Sequence, residues 1–141
     1  MEQTITGQKV TAPSKTKIIF YWVCTVLLTF ELLYGATWDF NWLNKSFVRG
    51  ILGHLGYPPY MDAFLGMAKI PAAIVILIPG FPLLKEWAYA GTVFLFMGAV
   101  YSHIAAGDSA VPAIFPGIYV VLGLASWALR PESRKLKLNK N

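Results

Sequence analysis

Charge is scarce in this chain. Of its 141 residues, 13% are Asp, Glu, Lys or Arg, and 56% are hydrophobic, whereas a soluble domain carries roughly a quarter charged residues. A short chain with so little charge cannot cover itself with a water-facing surface, and the charges it has are clustered between long apolar runs. That pattern belongs to a surface that faces lipid. Cysteine is almost missing too. Cys24 stands alone inside an apolar run, so an intrachain disulfide, a Cys-x-x-Cys redox pair and a cysteine zinc site are all excluded. There are two histidines, His54 and His103. Only His103 falls within an apolar run, which argues against a haem held by two facing histidines. No pair of ligand-type residues has helical i, i+4 spacing, so no metal site is expected. Ser102 and Ser109 lie near His103 and Asp108, but neighbouring residues on a helix point apart, which disfavours a hydrolase triad.

The chain does hold four apolar runs, over residues 18–37, 63–84, 87–106 and 110–129. At about 1.5 Å rise per residue, each is long enough for a hydrocarbon core of about 30 Å. Tyr21, Trp22 and Trp38 mark the ends of the first run as interfacial aromatics do. That run is too long for a cleaved leader and reads as an uncleaved anchor. Between the first two runs, Phe47, Val48, Ile51, Leu52 and Leu55 recur at helical spacing, with Lys45, Arg49 and His54 among them. Gly56 and Pro58 then supply a stop signal. This segment is expected to be a short amphipathic helix that lies on the outer membrane surface or caps the bundle. Pro71 is expected to kink the second run, and Pro79 and Pro82 to end it before Lys85 and Glu86.

The sequence therefore predicts an all-α membrane protein. Its fold is an antiparallel four-transmembrane-helix bundle with a short amphipathic helix between the first and second spans. Residues 1–16 would be a cytoplasmic tail, 17–130 the transmembrane domain and 131–141 a basic cytoplasmic tail. Of the 12 Lys and Arg, nine (Lys9, Lys15, Lys17, Lys85, Arg130, Arg134, Lys135, Lys137 and Lys140) fall on the side of the two termini. Lys45 and Arg49 fall on the other side, so both termini are expected inside. The net charge of +5 reflects this topology and contact with anionic lipid, not nucleic-acid binding. Small residues (Gly66 with Ala73, and Gly91 with Gly98 and Ser102) share helix faces and are expected to serve close packing. A ligand-lining role for these glycines is the alternative.

Glu31, Lys69 and His103 are the ionisable residues inside apolar spans, where each Glu or Lys costs on the order of 3 kcal/mol. Counted along their helices, Glu31 and Lys69 lie roughly 9 Å below the outer face and His103 roughly 5 Å below it. They form one polar layer with Asp108 at its rim, while the inner half is expected to be almost purely apolar. Three readings stay open: a Glu31–Lys69 ion pair that fixes register, a hydrated pocket that opens outward, and a side chain that snorkels to the interface. In the pocket reading Glu31, Lys69 and His103 are the reactive groups, and Tyr34, Tyr60, Gly66, Ser102 and Asp108 are placed as its lining. Such a site suits a lipophilic molecule with polar oxygens, such as a quinone. Lys69 and His103 would donate hydrogen bonds, and Glu31 would exchange protons.

The run Gly56-Tyr57-Pro58-Pro59-Tyr60, with Gly66 and Lys69 after it, resembles the start of the second span in the DoxX-like membrane proteins. The stretch from Leu84 to Gly91, and Ser102-His103 with Gly107-Asp108, resemble that family's third span and its exit. The resemblance runs from about Tyr21 to Leu129. It implies a bacterial inner-membrane protein with four spans, in a family linked to quinone-reducing thiosulfate oxidation and oxidant-defence complexes. The chain would then be a subunit or accessory of a quinone-linked redox system. It would hold no cofactor of its own, take a quinone as ligand, and work with membrane lipid, redox partner proteins and, as a further expectation, a second copy of itself. A membrane carrier or binding protein for small molecules or lipids, and an assembly partner without catalysis, are the alternatives, so whether it is an enzyme stays open.

Overall fold

The computed structural model describes residues 14–43 and 46–137. Five α-helices follow in order: α1 (Lys15–Asp39), α2 (Phe47–His54), α3 (Met61–Leu77), α4 (Pro82–Ala105) and α5 (Ala110–Leu129), with a short 3-10 turn at Glu132–Arg134. Among the described residues there is no strand. α1 packs against α3 and α5, and α4 packs against α5 and α3, while the short α2 rests mainly on α1 and α3. Leu28, Leu32, Ala73, Ile76, Tyr89 and Phe96 form the buried core between the four long helices. The outward faces of α1, α4 and α5 carry exposed Phe30, Phe94, Phe115 and Val121. This apolar exterior is the reverse of a water-soluble helix protein. α1, α4 and α5 are each long and apolar enough to cross a membrane.

The first helix begins at Lys15, where Ser14 Oγ accepts from the Lys17 amide at 3.3 Å. It runs two residues beyond the expected end, to Asp39. Its buried residues, Tyr21, Thr25, Leu28, Thr29, Leu32, Gly35, Ala36 and Asp39, recur every three or four positions and define one inward face. The largest departure from the sequence reading lies between the second and third apolar runs. The reading carries the second helix to 84 and starts the third at 87, but α3 stops at Leu77 and α4 starts at Pro82. Ile78 precedes Pro79 and is extended (ψ 151°), as steric clash with a following proline ring favours. Gly80 (φ 77°) and Phe81 (φ 50°) then take left-handed conformations. Pro82 opens α4, where a missing amide hydrogen costs nothing. Apolarity continues unbroken through this turn, so hydropathy does not reveal it.

Lys85 is consequently not a loop charge. It is fully buried, and its ammonium donates to the carbonyls of Val75, Ile76 and Ile78. Arg134, expected in a free basic tail, donates to Ile76 O and Leu77 O at 3.0 Å each and lies over the Trp22 ring. The last carbonyls of a helix have no partner within it, and here two basic side chains supply one. Arg130 is also buried. It donates to Glu86 Oε1 at 2.7 Å and lies over the rings of Tyr89 and Trp127. Nearby, Ser126 Oγ is 2.7 Å from both Thr25 Oγ1 and the Tyr89 hydroxyl. The half of the molecule away from α2 is therefore not almost purely apolar; it holds a buried polar network. Lys9, Lys45 and Lys140, which enter the orientation count, lie outside the described residues.

Candidate functional site

The α2 end carries the polar layer. Asp39 closes α1 two turns beyond Glu31, an eight-residue spacing that returns both carboxylates to one helix face. Lys69 reaches across from α3, and its Nζ lies 2.6 Å from Asp39 Oδ2, with both side chains nearly inaccessible. The ion pair of Lys69 is thus with Asp39. The expected Glu31–Lys69 pair is replaced because the helix continues past the apolar run and delivers a second carboxylate. Glu31 remains a neighbour. A Cβ added at Gly35 would sit 3.0 Å from Glu31 Oε1 and 3.1 Å from Lys69 Nζ. The absence of a side chain at 35 is what lets the two groups flank one point. Tyr119 of α5 interacts with the Glu31 carboxylate.

Two further carboxylates tie α2 down. Asp62 Oδ2 accepts from Arg49 Nε at 3.0 Å, Arg49 Nη2 at 2.7 Å and Asn41 Nδ2 at 3.1 Å. Asp108 sits between the two histidines: His54 Nε2 is 2.6 Å from its Oδ1, and His103 Nδ1 is 2.6 Å from its Oδ2. Those two hydrogen bonds hold the Asp108 carboxyl below the usual aspartate range. A carboxylate only accepts, so each facing ring nitrogen carries a hydrogen.

Beneath α2 lies a cavity of about 870 Å³. Glu31, Asp39, Lys69, His103, Asp108 and Tyr119 present their polar groups to it, and Phe96, Leu95, Ile51, Phe115 and Pro116 form its apolar walls. A largely apolar cleft with a few convergent polar groups is the usual form of a small-molecule site. Of the residues placed as lining by sequence, Asp108 faces this cavity, and Tyr34 faces a smaller adjoining one with Glu31 and Lys69. Tyr60 is not among the lining residues and is 71% exposed. Gly66 lies under the Phe40 ring, where a Cβ would come within 2.8 Å, so its smallness serves packing. Ser102 bonds Tyr57 and the Gly98 carbonyl. Gly91 and Gly98, expected at a helix contact, would have nothing within 4 Å of an added Cβ and face outward. Among the described residues no group of three His, Cys, Asp or Glu could hold a metal ion.

Residues 23–126, most of the chain and every residue that lines the cavity, match the DoxX-like family. The chain belongs to the DoxX-like family. No match is found among curated proteins or among solved structures. Family membership together with three helices long and apolar enough to span a bilayer makes this DoxX-like chain a membrane protein. Four residues of this site, three lining the cavity and Gly35 in the adjoining one, escape a reading based on charges within apolar runs. Asp39 lies just past the run, Gly35 acts by omission, and Tyr119 is hidden among aromatics. His54 is visible but cannot be paired with Asp108 across 54 positions.

Proposed function

We propose that α1, α3, α4 and α5 of this DoxX-like protein all cross a bacterial inner membrane as an antiparallel four-helix bundle with both termini in the cytoplasm. In this reading α2 lies on the outer face, and the cavity below it binds a quinone for a membrane redox system. α3 rises only about 25 Å, less than the roughly 30 Å hydrocarbon core. A helix that stops short leaves carbonyls where no water can reach them. Capping by Lys85 and Arg134 supports the reading of α3 as a short span.

The observation that carries the ligand reading is the cavity itself. It joins apolar walls to Glu31, Lys69, Tyr119 and His103 in one space. Lys69, held by Asp39, and His103 would donate to quinone oxygens. Glu31 would exchange protons with the ring oxygens, and Asp108 would stand at the mouth. Electrons would come from a redox partner protein, since the quinone is the only redox group this reading places in the chain.

The test is extraction of lipids from the full chain purified in mild detergent. Near-stoichiometric quinone is expected from the native protein, and loss of it from Glu31→Gln and Lys69→Met. Co-purification of phospholipid alone would favour the lipid-carrier alternative, which uses the same cavity without redox chemistry.

A further inference from the structure

We infer that His54, Asp108 and His103 form a proton path between the α2 face of the protein and the cavity. The three side chains are hydrogen-bonded in series at 2.6 Å and 2.6 Å. Their exposure falls inward: the His54 side chain is 56% exposed, that of Asp108 17% and that of His103 14%. All three line the cavity. A chain that begins in solvent, ends on a nearly buried ring and consists of side chains that can each hold a proton on one atom and hand it on from another meets the structural needs of a relay. The inference takes from the preceding reading only that the cavity exchanges protons, and it does not depend on which molecule fills the cavity.

Each hop breaks one N–H or O–H bond and forms another, and no electron moves. His54, protonated on both nitrogens, gives its Nε2 proton to Asp108 Oδ1. Inward transfer starts from the other His103 tautomer, with the Nδ1 hydrogen that faces the carboxylate at rest gone and Nε2 protonated. Rotation of the Asp108 carboxyl turns the new hydroxyl toward the bare Nδ1, which accepts, and Nε2 releases its proton to the cavity, which leaves the resting Nδ1–H form. The reverse sequence carries a proton out. Glu31 and Asp39 from α1, Lys69 from α3 and Tyr119 from α5 face the same cavity and are the available acceptors and donors at the inner end. Arg49 of α2 is tied to Asp62, and Tyr57 to Ser102. Neither stands in the path.

A merely structural use of the same contacts, holding α2 in place, makes the opposite prediction. The chain has only two histidines, so their ring hydrogens can be followed separately. The experiment measures hydrogen–deuterium exchange of the His103 ring N–H by nitrogen-detected NMR. It uses the full chain, ¹⁵N-labelled at histidine, in phospholipid nanodiscs with no quinone added. Asp108→Asn and His54→Gln keep hydrogen-bonding groups in place but cannot pass a proton. Exchange at His103 is expected to slow on the order of a hundredfold in both. If it quickens, the contacts only hold α2 against water and the path is overturned. Unchanged exchange overturns it as well, because the cavity would then draw protons from elsewhere. His54 is exposed, so His54→Gln carries the test even if Asp108→Asn does not fold. An absence of quinone in the lipid extract leaves this measurement untouched.

Discussion

Lys69 and Lys85 have almost no exposed surface, 8% and 0%, yet Lys69 stands midway along α3 and Lys85 of α4 meets its C-terminal end, in opposite surroundings. Lys85 faces the last carbonyls of α3, which have fixed positions and no protons to exchange. Lys69 faces Asp39, with Glu31 close by, and borders the cavity under α2. A buried cation bonded to backbone closes a helix and cannot change state without opening it. A buried cation among carboxylates beside open volume leaves the charge balance adjustable, since one proton more or less on Glu31 or Asp39 alters it without moving a helix. Burial alone does not separate a structural charge from a reactive one; the partner and the free volume do.

That contrast is most exposed to failure at Lys85. Lys85→Met should strand the Val75 carbonyl away from water and leave those of Ile76 and Ile78 to Arg134 alone, at 3.0 and 3.5 Å, each carbonyl left unpaired costing about 1–3 kcal/mol. The expected outcome is a loss of about 3 kcal/mol, read as failure to recover folded protein or a large drop in melting temperature in mild detergent. A native melting temperature would show that the ammonium is dispensable at that end. At Lys69 the effect should be smaller and of another kind. Lys69→Met leaves Asp39 buried without its partner, a change that costs about 3–5 kcal/mol while the survivor stays charged, and protonation of Asp39 relieves much of it. Adding Asp39→Asn should restore the melting temperature, whereas adding Glu31→Gln should not. Rescue by Glu31→Gln instead would make Glu31 the true counter-ion.

The same contrast explains what the sequence can and cannot disclose. Four long helices and the amphipathic α2 are legible because apolar runs and their spacing are local properties. Glu31, Lys69, His103 and Asp108 stand out for the cost of charge in an apolar setting, and the cavity does gather all four. The partner of Lys69 is hidden because the apolar run ends at Thr37 while the helix ends at Asp39. A helix boundary depends on backbone bonding, to which hydropathy is blind. Lys85 and Arg134 look like topology charges because nothing local says that α3 stops at Leu77 and needs donors. The turn at residues 78–81 is legible only when Pro79, Gly80 and Pro82 together are given more weight than the unbroken apolarity around them.

Glycines give a milder version of the comparison. Gly66 is covered by the Phe40 ring, with 2.8 Å available to a Cβ, so Gly66→Ala should cost about 1–3 kcal/mol through overpacking. Gly98 has open space around it, and Gly98→Ala should stabilise α4 by about 0.5–1 kcal/mol through lower backbone entropy in the unfolded chain. Melting temperatures of the two variants should therefore move in opposite directions. A destabilised Gly98→Ala would mean that its open face is covered, and the covering surface would then be a second copy of the chain.

The smallest expected effect concerns pH at the α2 end. Asp108 is held below the ordinary aspartate range by hydrogen bonds from His103 and His54. A group whose folded pKa is depressed contributes stability that is present above its unfolded pKa and lost as pH falls through the folded one. The unfolded value is about 3.9, so the contribution should be constant from neutral pH to about 5 and vanish only below about 4. Melting curves of the native chain and Asp108→Asn, compared pH by pH, should show a constant advantage for the native chain that disappears only at that acid limit. An advantage that fades as pH rises through neutrality would put the contribution on charged imidazoles instead of on the carboxylate. The α2 end would then differ from the Lys85 end in holding its helix by charges that come and go within the physiological range.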